Sequence, residues 1–413
     1  MPMTPPPNQP PKVPRPTPVP RVSSPLISRL VERYAGELHR LQGQLDDLAA
    51  TGLPFVEAGQ DGRSTVTFLY RQRQALDSVL LFANRLTDET QLAQTLLDPI
   101  EGTDYWFAAF EMEDDWRASY CFIPTPAGAR PSWQDAAGHN RLRAALDAGE
   151  ADSYNARVCP NRGGNLLSVV ELGSAPSSAY PLSHQKVEQV SWVETGEELP
   201  AYSLLRVGEP GPQAPLVLIF DGEVWAEQGL PAALRRAVAA GALADLNLVL
   251  IHSGGREQRW QELGANSPLV GTLAGPLMDR LRQEHGLSPR PERTLLAGQS
   301  LGAMSSLIGA LSYPEVFGLA LAQSASLWDP TAQQILEEVG QGELSPAHRQ
   351  LELVLECGRQ EWVLLEPNQH FFRSARELGF EARLEVFNGG HDYACWRASL
   401  PERLIEFFPA YPA

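Results

Sequence analysis

The sequence predicts a mostly parallel sheet with helices on both faces, preceded by a smaller β-sandwich-like domain. Short strand-like runs split by polar turns fill residues 55–180. After about residue 186, continuous apolar runs alternate with helix-length segments. Between one such run and the next helix sits the turn Gly298-Gln299-Ser300-Leu301-Gly302. The length of 413 residues, 43% hydrophobic, supplies enough apolar material for two or three domains.

Residues 1–25 hold 11 prolines, broken by Lys12, Arg15 and Arg21. Proline lacks an amide hydrogen and blocks helix interiors, so a disordered or extended tail is expected, with neither a secretory signal nor a membrane anchor. Leu26, Leu30, Val31, Tyr34, Leu38, Leu41, Leu45 and Leu48 recur at steps of three and four, which predicts one amphipathic helix over 26–52. Strands are expected at Ser64–Tyr70, Ser78–Phe82, Tyr105–Phe110 and Ala118–Ile123. Residues 131–160 read as loop and short helix, and 161–185, rich in Gly, Ser and Pro, as a linker.

The second domain is expected over 186–411. Its strands are Leu216–Phe220, Leu246–Ile251, Arg293–Ala297, Gly318–Gln323, Leu351–Glu356 and Ala382–Phe387. Helices are expected over 230–243, 269–285, after Ser300 and over 367–378. Continuous apolar strands alternating with helices mean a parallel sheet covered on both faces.

Composition excludes several functions. Fifty acidic residues against 33 Lys+Arg give a net charge of −17, which argues against duplex DNA or an anionic membrane as partner. No run approaches the ~18 apolar residues of a membrane-spanning helix. Only Lys12 and Lys186 are lysines, so 31 of the 33 cations are Arg. Codon bias in a GC-rich genome is one reading, and anion recognition by planar Arg forks the other. Cys121, Cys159, Cys357 and Cys395 are too scattered for a disulfide framework or a zinc site. They read as buried thiols, with a Cys357–Cys395 bridge left open.

The turn 298–302 has the form of a nucleophile elbow, the mark of an α/β hydrolase. Small residues on both sides of Ser300 let the chain swing sharply from strand to helix and lift the hydroxyl clear of the sheet. A serine hydroxyl needs a base, and Gly389-Gly390-His391-Asp392 places His391 directly after the last strand. His252, at the end of a strand, is the competitor. The orienting carboxylate should follow the preceding strand, in the order Ser, acid, His, which selects Glu361. The same residue also reads as a helix-N-terminal carboxylate favoured by the dipole. The oxyanion of acyl transfer needs donors. The amide of Leu301 is one, and that of Glu223 or Val224, in the loop Asp221–Trp225, the other. That loop also reads as a plain turn, with Trp225 either walling the pocket or filling the core.

These residues, with Gln323-Ser324-Ala325-Ser326-Leu327-Trp328 and His391-Asp392-Tyr393-Ala394-Cys395-Trp396-Arg397, resemble the enterochelin (enterobactin) esterases. Val66–Arg71, Gly102–Trp106 and Asp114–Tyr120 resemble the N-terminal domain of the cytoplasmic members. The resemblance covers about 60–410 and implies a serine esterase that opens the ester bonds of a cyclic catecholate siderophore inside the cell. No cofactor is implied, since iron arrives with the substrate. Ser300, His391 and Glu361 match the catalytic set. Trp225, Trp328, Trp396, Arg397, Arg256 and Arg259 fall on the substrate side, with Arg117 added from the front domain; each Arg also reads as a surface salt bridge. Asp329 stands where the family has a second Trp, and Ala325 replaces a Gly. A general carboxylesterase or acyltransferase and a catalytically weak siderophore-binding protein are the alternatives.

Overall fold

The structure is a computed structural model that describes residues 10–134, 144–196, 199–264 and 267–410. The chain forms two compact units: Lys12–Pro176 together with Asn388–Cys395, and Ser177–Phe387 together with the chain from Trp396 onward.

The front unit begins with α1 (Pro25–Arg33) and α2 (Leu38–Ala50). The single helix expected over 26–52 is therefore two. Apolar spacing continues through the break, but Gly36 sits there at φ +80°, off the helical path. Ser24 caps α1 by accepting from the Ile27 amide at 3.3 Å, and Pro25 opens it, where a missing N–H costs nothing. The expectation of a disordered tail over 1–25 also needs correcting. Its residues 1–9 lie outside the described residues. Beyond them Arg21–Val22 forms β1, and the Arg21 guanidinium donates to the Leu96 carbonyl and to Asp98.

The front strands are β2 (Phe55–Ala58), β3 (Arg63–Arg71), β4 (Leu76–Ala83), β5 (Asp98–Pro99), β6 (Tyr105–Glu113), β7 (Arg117–Pro126), β8 (Val158–Pro160) and β9 (Leu166–Glu171). One antiparallel sheet runs β1-β6-β3-β2, with β5 also on β6, and a second runs β4-β7-β9-β8. Strand β9 lies inside what reads as linker over 161–185; the flanking Gly and Ser clusters are its turns. Residues 135–143 of the expected loop, with His139, lie outside the described residues. Neighbours along β3 show why its sequence is apolar without alternation. Phe68 packs with Phe110, Tyr120 and Phe122 between the sheets, while Leu69 faces Leu41 and Leu45 of α2 on the other side. Phe68 and Tyr120 meet edge to face at 4.9 Å.

In the second unit, β10 (Tyr202–Val207), β11 (Leu216–Ile219), β12 (Leu246–Ile251), β13 (Thr294–Gln299), β14 (Leu319–Gln323), β15 (Glu352–Gly358) and β16 (Glu381–Phe387) form one sheet, ordered β10-β12-β11-β13-β14-β15-β16. Only β10 is antiparallel, paired to β12. The helices are α3 (Gly222–Glu227), α4 (Leu230–Ala239), α5 (Arg256–Glu262), α6 (Leu269–Thr272), α7 (Met278–His285), α8 (Leu301–Ser312), α9 (Thr331–Gly340), α10 (Leu365–Glu377) and α11 (Tyr393–Phe407). A π-turn over Leu273–Leu277 separates α6 from α7. Pro276 lies within it and has no N–H for the helical ladder. Strand order reverses at β11, between β12 and β13, so the carboxyl ends of β11 and β13 flank the crevice where open α/β sheets take ligands. Among the described residues no helix is long and apolar enough to cross a membrane. All four cysteines are buried thiols, so the Cys357–Cys395 bridge does not form.

Candidate active site

Five non-glycine residues among those described have positive φ, and three of them stand just past the carboxyl ends of adjacent central strands: Asp221 (+57°), Ser300 (+60°) and Ser324 (+53°). Strained backbone of this kind costs free energy and persists only where the surroundings over-determine it.

Ser300, at ψ −117°, is the turn between β13 and α8. The two flanking glycines have little space around them. A Cβ on Gly298 would run into the Gly302 backbone, and one on Gly302 would lie 3.0 Å from the Phe220 Cβ. The elbow is pinned on both sides, the Ser300 amide donating to the Gln323 carbonyl at 3.0 Å and the Ser326 amide to the Ser300 carbonyl at 3.1 Å. The hydroxyls of Ser300 and Ser326 are 3.3 Å apart. Leu301 opens α8, so its N–H has no carbonyl four residues back to bond.

On the β11 side, Arg259 forks onto Asp221, with Nε 2.7 Å from Oδ1 and Nη2 2.7 Å from Oδ2, and Nη2 also reaches the Gln299 carbonyl at 3.3 Å. The Asp221 side chain is 0% exposed and that of Arg259 10%. Arg259, expected as a substrate cation, is instead forked onto the carboxylate of the Asp221 turn. Within that turn the Val224 amide donates to the Asp221 carbonyl at 3.0 Å. The Glu223 carboxylate accepts from the amide and hydroxyl of Ser253.

Trp225 is fully buried and donates from Nε1 to Gln299 Oε1 at 2.8 Å, so it belongs to the core and not to a pocket wall. Gln299 Nε2 donates to Gln323 Oε1 at 2.8 Å, and Gln323 Nε2 to Glu356 Oε2 at 2.6 Å. Arg403 and Ser399 close on the same carboxylate. These rungs lie directly opposite one another in the sheet register, one residue before Ser300, before Ser324 and on the strand that leads to Glu361.

Glu361 is fully buried. Its Oε1 accepts from the Ser324 hydroxyl at 2.6 Å and the Gly358 amide at 2.8 Å, and Ser324 Oγ accepts from Trp396 Nε1 at 2.8 Å. Trp396, expected against substrate, is thus a buried support of Glu361. Arg397, expected beside it, donates to Gln228 Oε1 and the Leu182 carbonyl, both at 3.3 Å. Arg117, in the front unit, is 5% exposed and bound to Glu171 at 2.8 Å. Trp328 is half-buried against the core, and Arg256 is exposed at the start of α5. Asp329 accepts from the amide and hydroxyl of Thr331 at 3.0 and 2.7 Å, a capping contact that accounts for a carboxylate there.

His391 lies between β16 and α11, in the segment that belongs to the front unit, and its carbonyl accepts from Asn84 Nδ2 at 2.9 Å. Asp392, beside it, accepts from the amides of Ser119 and Ala394, and burial pushes its carboxyl above the usual range. His252, the competitor, has Nδ1 occupied by the Gly254 amide at 2.9 Å and its ring edge-on to Trp192. Sequence reasoning passed over Ser324, Ser326 and Gln323, although all three lie in the run quoted for the family resemblance.

Known proteins agree with this architecture. The model of the enterochelin esterase N-terminal domain matches residues 65–180, and the esterase family model matches 196–407. The iron(III) enterobactin esterase of Dickeya dadantii is 29% identical over 393 residues, covering 86% of this chain and 89% of its own. The iron(III) salmochelin esterase of Escherichia coli O6:H1 is 29% identical over 372 residues, covering 84% and 87%. The crystal structure of the Shigella flexneri enterobactin esterase in the presence of enterobactin superposes with a TM-score of 0.72 at 27% identity, covering 86% of this chain and 95% of that one. The ferric enterobactin esterase of Salmonella typhimurium gives 0.73 at 28% identity, with 86% and 96% covered. A front antiparallel β domain joined to an α/β-hydrolase domain, each matched by its own model, makes this chain a member of the enterochelin esterase family.

Proposed function

We propose that this chain hydrolyses the ester bonds of a cyclic catecholate siderophore and so releases its iron inside the cell. The observation that carries the reading is the strained, doubly pinned Ser300 turn, flanked by Gly298, where a Cβ would strike backbone, and by Gly302, where one would press on Phe220. Ser300 attacks the ester carbonyl while His391 accepts its proton. The developing oxyanion is met by the N–H groups of Leu301 and Glu223, and Glu361, held by Ser324 and Gly358, orients the imidazole. The alkoxide leaves with the proton from His391, and water resolves the acyl-enzyme by the same steps. Iron is cargo of the substrate and takes no part in the bond cleavage.

A general carboxylesterase is the second reading, favoured because Arg117, Arg259 and Arg397 are all bound to protein groups rather than arrayed for an anion. The test incubates purified protein with a ferric tri-catecholate lactone and follows linear fragments by chromatography. The wild type is expected to open the lactone, and Ser300→Ala to lose at least ~10³-fold in rate. An intact lactone, alongside rapid hydrolysis of short acyl esters, would establish the second reading instead.

A further inference from the structure

The segment that carries His391 is held by front-domain residues. The Arg117 amide donates to the Asn388 carbonyl at 3.1 Å, Asn388 Nδ2 to Asp115 at 2.6 Å, and the Ser119 amide to Asp392 Oδ2 at 2.5 Å. Among these contacts the side-chain amide of Asn84 is the one that bonds His391 itself, at the carbonyl.

Asn84 is built into a stiff corner. Its own amide continues the β4–β7 ladder to the Ser119 carbonyl at 2.9 Å, and Thr87 Oγ1 closes the turn by accepting from the Ala83 amide and donating to the Leu81 carbonyl. Against this corner sits Gly390, where a Cβ would collide with Asn84 Oδ1 and the Arg85 side chain. The other end of the Asn84 amide has an unusual cost: Oδ1 is buried and has no hydrogen-bond partner. A buried acceptor left unpaired destabilises the fold and offsets what the bond at the other end contributes. What the amide contributes is its donor, and the donor is directed at His391.

We propose that Asn84 is a positioning residue for the ester hydrolysis, its side-chain N–H fixing the backbone of His391 and thereby the placement of the imidazole. This rests on the reading of His391 as the base.

The test uses the full-length protein and a short-chain p-nitrophenyl ester, so that it does not depend on the siderophore assignment. Asn84→Leu keeps the shape while removing both the donor and the orphaned oxygen. It is expected to melt close to the wild type, the relieved oxygen offsetting the His391 carbonyl left unpaired, and yet to lose ~10- to 100-fold in kcat, with KM within ~2-fold. Asn84→Ala is the second variant, with the same kinetic signature expected and a lower melting temperature. Wild-type kcat in a folded Asn84→Leu protein, or a loss in either variant that only tracks the folded fraction, overturns the proposal. His391→Gln is measured beside them. If it keeps full kcat, the base assignment is what fails. If it is inactive while both Asn84 variants run at the wild-type rate, the base stands and the positioning role fails.

Discussion

Arg259 and Asp221 illustrate how one pair of side chains organises the surroundings of Ser300. The fork is buried, and its third contact is the carbonyl of Gln299, the residue before Ser300. Removing one partner strands a buried charge, so Arg259→Ala should cost ~3–5 kcal/mol in urea unfolding and lower kcat as the Asp221 turn relaxes. Arg259→Lys cannot reproduce the two-pronged geometry and should recover only part of either loss. This residue also marks what the sequence could and could not say. Gly-X-Ser-X-Gly betrays Ser300 because its geometry demands those neighbours within five positions. For an Arg or Trp the role depends on a partner that is often far along the chain: Arg259 finds Asp221 38 residues away, and Trp225 finds Gln299 after 74. The residue type announces a donor, and only the fold names its acceptor. Hence Arg117, Arg259, Trp225 and Trp396 were expected against substrate and stand in the protein interior.

Among elements, the central strands are held at their carboxyl ends by a chain of hydrogen bonds that runs one way. The Trp225 indole can only donate and the Glu356 carboxylate only accept, so the amides of Gln299 and Gln323 between them have a single orientation. Trp225→Phe keeps the ring but leaves Gln299 Oε1 unpaired, with an expected loss of ~1–3 kcal/mol in chemical unfolding. The far end of the chain reaches the C-terminal helix through Arg403, which also binds Glu406 at 2.7 Å, and Arg383 joins the same Glu406 at 2.6 Å. Burial pushes the Glu406 carboxyl up, but the hydrogen bonds and charges of Arg403 and Arg383 outweigh it and hold the group below its ordinary 4.5. Its contribution is therefore present above that value and disappears as pH falls through the lowered one. The melting temperature should drop between pH 5 and pH 3, and Glu406→Gln should flatten that part of the curve. The apolar strands were legible because a strand buried on both faces has no choice but to be continuously apolar. Less legible were the break between α1 and α2, where the spacing carries through Gly36, and β9, whose short run is masked by the turn residues around it.

Over the whole molecule the charge is −17 and the sequence pI about 5.0. A ferric tri-catecholate is itself strongly anionic, so encounter takes place against the protein's overall field. Added salt screens that field over ~8 Å at physiological strength. If the proposed substrate is right, its kcat/KM should rise with ionic strength, while that of a neutral nitrophenyl ester stays flat. The two-part plan of the chain was visible in the change of texture near residue 186. The assignment of 388–395 to the front unit was not, because the bonds that hold it link residues such as Ser119 and Asp392, 273 positions apart. No local pattern encodes such a pairing.

The four buried cysteines bear on how such a protein would survive its own chemistry. Catechols bound to or shed with iron react with oxygen to give peroxide, and peroxide attacks thiolates far faster than thiols. Burial alone pushes the Cys121 thiol up to about 12, which keeps it protonated, and no cysteine is at the surface. The native protein should thus be slow to react with a disulfide reagent such as DTNB and yield four thiols only once unfolded. Its turnover should also hold through a peroxide exposure that silences enzymes dependent on an exposed cysteine. If the proposed substrate is right, an esterase built this way needs no reductant to stay active while it dismantles an oxidant-generating molecule.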